Sequence, residues 1–119
     1  MQTEMRGLDR DAPRLRVIPF SQEFPMRPTC TATLLVDDER VRVQRFDFVP
    51  GAETGWHRHG MDYVITAITD CHMQLQDPDG STRDVLVPAG SAYRRSLGVE
   101  HNVINGADTP MSFVEIELK

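Results

Sequence analysis

The sequence predicts an all-β chain folded as an antiparallel sandwich or barrel, and three observations carry that prediction. Roughly ten short runs of β-forming residues follow one another along the 119 residues. Clusters of Gly, Pro, Asp and Asn separate them at regular intervals, as in sandwiches and barrels. No stretch shows the apolar periodicity of an amphipathic helix.

Taken in order, residues 1–28 lack a clean period and carry Arg6, Arg10, Arg14 and Arg16. They are expected to form an arm packed on the body or on a partner subunit, with one short strand at Val17–Phe20; the barrel domain is expected over 29–119. Thr29–Val36 is rich in β-branched residues and stops at the polar turn Asp37-Asp38-Glu39. Val41–Val49 reads as a strand whose apolar positions switch from odd (41, 43) to even (46, 48), which predicts a bulge near Gln44-Arg45. Pro50-Gly51 turns the chain into Thr54–His59, and Gly60-Met61 is short enough for a hairpin turn. Tyr63–Ile68 is a continuous β-forming run, expected to be buried on both faces. His72–Gln76, Thr82–Val87, Ser91–Arg95, Val99–Ile104 and Met111–Leu118 complete the set, with the turn signals Asp77-Pro78-Asp79-Gly80, Pro88-Ala89-Gly90 and Asn105-Gly106-Ala107-Asp108 among them.

Bulk chemistry excludes several function classes. A length of 119 residues suits one domain with a real core. The net charge of -5 and pI of 5.2 argue against a nucleic-acid surface or an anionic membrane as partner. An anionic small molecule stays open, because a few local arginines outweigh a mild net charge. Cys30 and Cys71 fit no paired metal-ligand spacing and no disulfide framework. The polar N-terminus has no apolar signal region, and no apolar run approaches the ~20 residues of a membrane span. The expectation is a cytoplasmic protein.

The residues with chemistry begin at Gly51-Ala52-Glu53-Thr54-Gly55-Trp56-His57-Arg58-His59-Gly60-Met61-Asp62. On a strand, positions i and i+2 share a side, so His57 and His59 project together and can serve one metal ion. Trp56 alternates against them and should face away. Further on, Gly90-x5-Ser96-x-Gly98-x2-His101-x3-Asn105 brings a third histidine. His72 belongs to neither stretch and is expected at the surface.

Together the two stretches resemble the cupin family, whose motifs read G-x5-H-x-H-x3-4-E-x6-G and G-x5-P-x-G-x2-H-x3-N. Gly51-x5-His57-x-His59 fits the first through its histidine pair, and the second fits at every spacing, with Ser96 in the place of Pro. The resemblance covers roughly residues 30–118 and extends to small single-domain members, some labelled β-alanine degradation proteins. It implies a double-stranded antiparallel β-helix barrel of jelly-roll type, assembled as a homodimer. It also implies one divalent transition metal per subunit (Fe, Mn, Ni or Zn) on His57, His59 and His101. The closing Gly of the first motif is missing, and its glutamate would fall at Tyr63 or Val64. A hairpin turn one residue tighter lets Asp62 act as the carboxylate ligand; strict alternation from His59 turns Tyr63 to the site instead.

Three imidazoles with open coordination positions are the donor set of a catalytic metal site rather than a closed structural one. The implied function is an enzyme on a small polar, carboxylate-bearing metabolite, with an Fe(II) dioxygenase ahead of a lyase or isomerase. The alternative is a small-ligand binding or sensing module without turnover, favoured by the missing glutamate. Tyr63, Tyr93, Arg45 and Arg95 are the candidate substrate contacts, since an inward Arg captures a carboxylate with two hydrogen bonds. Asn105 is expected to hold a turn.

Overall fold

A computed structural model describes residues 26–119; the strand foreseen at Val17–Phe20 and the arm through residue 25 lie outside the described residues. Nine strands follow: β1 (Thr31–Asp37), β2 (Val41–Phe48), β3 (His57–Arg58), β4 (Asp62–Ala67), β5 (Cys71–Gln76), β6 (Thr82–Val87), β7 (Ala92–Arg95), β8 (Glu100–Asn105) and β9 (Met111–Leu118). They form two sheets, β1-β2-β9-β4-β7 and β3-β8-β5-β6, and every strand pair is antiparallel. Consecutive strands repeatedly fall in different sheets, so the chain winds between two layers, as expected of a double-stranded β-helix.

Alternation decides what lies between the layers. The five-stranded sheet turns Phe46, Phe48, Ile65, Ala67, Met111 and Phe113 inward. Cys71, Met73, Leu75, Val87 and Val103 face them from the other sheet. Phe113 sits between Phe46 and Phe48, with ring centroids 5.5 and 5.4 Å away. Toward one end of the same faces the inward positions become polar: Gln44, Tyr63, Glu115, Glu117, His59 and His101 are all buried. Burying one polar group costs a few kcal/mol unless it is partnered, so such a concentration marks a site rather than a core.

Three local expectations change. β2 runs against β9 without a slip from Val41↔Leu118 to Phe48↔Met111. Its even positions face inward at the polar end as well, where Gln44 meets Glu115; the irregularity lies in β1, between Leu34 and Val36. β4 is not buried on both faces, because its burial alternates from half-buried Asp62 to buried Ala67. The strand expected at Thr54–His59 shortens to β3, since Gly55 has φ +87° and leaves extended geometry. The edge strand β1 leaves Leu34, Leu35 and Val36 exposed.

Candidate metal centre

β3 and β8 pair so that His57 lies directly opposite His101. His59, two residues on, is fixed by its backbone: its N–H donates to Val99 O at 2.8 Å, and its O accepts from Gly98 N at 2.8 Å. Gly98 holds φ +94°, a conformation L side chains rarely adopt, so glycine suits that turn. The three rings meet edge to face, and His57 Nε2 is 3.0 Å from His59 Nε2, which is 3.2 Å from His101 Nε2.

This arrangement fits one metal ion. Two nitrogens bound at ~2.05 Å to a common ion lie about 2.9 Å apart at a right angle and about 3.3 Å apart at the tetrahedral angle. The observed pair distances fall in that interval. His57 Nδ1 donates to Gly55 O at 2.9 Å, which leaves its Nε2 lone pair turned to the other rings. Thr54 Oγ1 lies 3.3 Å from the same nitrogen and accepts Val103 N–H at 3.1 Å, tying the loop to β8. Asn102 Oδ1 accepts Gly55 N–H at 3.0 Å and holds the turn from the other side.

Burial disfavours the charged form of all three imidazoles. It lowers the His57 pKa, brings His59 down to about 3 and His101 to about 2, and the neighbouring imidazoles and Arg95 add to the fall at the last two. A neutral imidazole is the form that ligates a metal.

The other expected site residues divide. Tyr63 is buried and stacks on the His59 ring, centroids 3.8 Å apart and planes 17° from parallel, and its Oη has no partner among the described residues. Tyr93 is half-buried and donates to Met73 Sδ at 3.6 Å. Both tyrosines line the pocket with the three histidines, Thr54 and Glu115. Arg95 pairs in register with Tyr63 and follows Tyr93 by two, on the same face of β7. Asp62 and Arg45 are not brought to the site. The turn does not tighten: Asp62 faces outward, where its carboxylate accepts Leu97 N–H at 2.8 Å and Arg94 Nη2 at 3.1 Å. Arg45 lies on the outer face of β2, bonded to Asp47 at 3.0 Å. Trp56 is turned out and donates to Glu100 Oε2 at 2.9 Å; His72 pairs with Asp84 at 2.9 Å on the surface.

The residue that sequence reasoning missed is Glu115. Its Oε2 is 3.8 Å from His59 Nδ1, and with Glu117 it forms a second acidic group around that ring. Burial, reinforced by the Glu117 charge, raises its pKa to about 8. The available signal was alternation in β9, which puts Met111, Phe113, Glu115 and Glu117 on one face.

Comparison with known proteins points the same way. No protein-family model matches the chain. The chain is 50% identical over 93 residues to the β-alanine degradation protein BauB of Pseudomonas aeruginosa, covering 78% of this chain and 97% of that one. It is 47% identical to a cupin domain from Bordetella pertussis, with a TM-score of 0.77 over 81% of this chain and 99% of that one. A double-stranded β-helix domain from Klebsiella pneumoniae, 19% identical, matches in fold alone with a TM-score of 0.64, covering 80% of this chain and 81% of that one.

Proposed function

The chain belongs to the cupin superfamily, and on that premise we propose that it is a metal-dependent enzyme acting on a small, polar, carboxylate-bearing metabolite. The observation that carries this reading is the convergence of His57, His59 and His101 Nε2 atoms, at 3.0 and 3.2 Å, on a pocket that opens outward. A metal held there would supply a Lewis acid with open positions, and a redox-active Fe(II) would also suit O2 chemistry. An oxygenation that places both atoms of O2 in the substrate needs no outside reductant, and we rank it ahead of a lyase or isomerase reaction.

The chain's own groups prepare the pocket for such a ligand. Arg95 contributes positive charge at the ring of tyrosines and histidines and would draw a carboxylate in. The unpartnered Tyr63 Oη offers a hydrogen bond to a polar atom of the ligand. Phe46, Ile65, Met73, Val103 and Phe113 line the pocket and limit water. The relative's name, a β-alanine degradation protein, supports a short amino or carboxylic acid as substrate.

Protein purified without added metal should carry close to one equivalent of a transition metal. With Fe(II) and O2 it should consume a member of a panel of short carboxylic and amino acids. The His57→Ala, His101→Ala double variant should do neither. Negligible metal content, with no rise in melting temperature on adding Fe, Mn, Ni or Zn, would overturn the reading. Metal binding and ligand binding without turnover across the panel would favour a non-catalytic sensing module, the second reading, which the lack of a carboxylate among the converging ligands supports. We also propose that the working unit is a homodimer, because the β1 edge exposes Leu34, Leu35 and Val36. Light scattering should return twice 13.5 kDa, and a mass of one chain at micromolar concentration would refute it.

A further inference from the structure

We propose that Glu115 is a positioning residue for the metal centre, acting through His59. The inference rests on the reading of His57, His59 and His101 as metal ligands and extends it to a carboxyl on a different sheet. Each imidazole has one nitrogen turned to the common point and one turned away, and the outward nitrogen decides how the ring is held. His57 has Gly55 O at 2.9 Å for that purpose. His101 Nδ1 is buried without a hydrogen-bond partner among the described residues. His59, the ring close to both others, has among the described residues only Glu115 Oε2, at 3.8 Å from its Nδ1.

That distance is too long for a hydrogen bond, and closing it takes a movement of under ~1 Å. Both partners are constrained to meet. His59 is clamped by its backbone bonds to Val99 and Gly98 and by the Tyr63 ring against its face. Glu115 sits in the middle of β9, flanked by β2 and β4, with Gln44 and Ile65 opposite it in register, and it lines the same pocket. When a cation draws the Nε2 lone pair of His59, Nδ1–H becomes a stronger donor, and Glu115 is the side chain placed to accept it. A carboxyl accepts this bond through a carbonyl oxygen whether or not it holds a proton, as would an amide.

The chain thereby has a carboxyl at the metal centre after all, one ring removed from the ion. Four residues after the His-x-His pair stands Tyr63, which packs on His59 rather than competing with it as a ligand. Between them Tyr63 fixes the plane of the imidazole and Glu115 fixes its tautomer and rotation.

Zn(II) binding to wild type, Glu115→Gln and Glu115→Leu, with thermal melts of each metal-free protein as a control for folding, tests this directly. Glu115→Leu should remain folded and bind Zn(II) about 10- to 100-fold more weakly. Glu115→Gln should recover most of that loss. In the Zn(II)-loaded wild type, nitrogen NMR should show the His59 proton on Nδ1 in slow exchange with water, and Glu115→Leu should lose that protection. Glu115→Leu binding within twofold of a wild type that does bind Zn(II) would overturn the positioning role while leaving the metal site standing. A wild type that binds no Zn(II), Fe(II) or Mn(II) would overturn both.

Discussion

Glu115 is a carboxyl placed where its charged form is costly. In the folded chain its pKa is about 8 against 4.5 for a free side chain, first because it is buried and then because Glu117 lies beside it. The folded state therefore holds this proton longer than the unfolded state does. The stabilisation is fully present below pH 4.5 and is lost as pH rises toward 8. Glu115→Gln removes the titration but keeps the shape. With chelator present, the melting temperature of Glu115→Gln minus that of wild type should climb between these two pH values, as followed by calorimetry. The buried histidines give a slope of opposite sign, but both proteins share it, so it cancels in the difference. A difference that stays flat would mean that Glu115 is charged in the folded protein. The histidines were legible in the sequence because two of them are neighbours on one strand face and the third has fixed spacing from Gly90. Glu115 was not, since its meaning depends on which face of the last strand is covered, and by which ring. Asp62 misled for a related reason: a turn can reset alternation, and only the bonds from Leu97 and Arg94 show that it did not.

At the scale of elements, β8 carries the most: it brings His101 to the site and ends on Asn105, which is 2% exposed. Asn105 Nδ2 donates to Thr109 O at 2.9 Å and to Phe48 O at 3.3 Å, and Oδ1 accepts Ala107 N–H at 3.0 Å. One side chain thus pins the β8–β9 turn to the end of β2. Asn105→Ala leaves these buried backbone groups without partners, which should cost about 2–3 kcal/mol. For a domain of this size the melting temperature should fall by roughly 10–20 °C. A fall of under ~4 °C would show that water replaces the amide at little cost. The role of Asn105 as a turn holder was readable from its place at the end of β8, before the turn residues Gly106-Ala107-Asp108. The even-numbered inward face of β2 was harder to read, because its polar end holds Arg42 and Gln44, which look like surface residues until Glu117 and Glu115 are seen opposite them. Hydrophobic alternation identifies strands that face a core; a strand that faces a polar site loses the signal at that end.

For the whole molecule, the two sheets make one folding unit around a core at one end and the histidine cluster at the other, so ligation there is linked to global stability. A metal that binds only the folded chain stabilises it by about 2.7 kcal/mol at a free concentration of 100 times its dissociation constant. That corresponds to a rise of roughly 10–20 °C in melting temperature. The pH dependence of this rise is the more discriminating measurement. Imidazoles with the ordinary pKa of 6.5 would be mostly protonated one pH unit lower, and three of them would weaken binding by about a thousandfold. Here burial has already lowered the His57 pKa and brought His59 and His101 to about 3 and about 2, so at these last two rings protons do not compete until far lower pH. The metal-free protein should lose stability as pH drops below 6.5, because its unfolded chain takes up protons that the folded rings refuse. That loss is common to both states of loading. The increment produced by Zn(II) should therefore fall by much less than that thousandfold loss would give from neutral pH to about one unit below 6.5, and the His57→Ala, His101→Ala variant should show no increment at any pH. An increment that collapses across this interval would mean that the three imidazoles titrate as exposed histidines do, and that the buried cluster opens in solution.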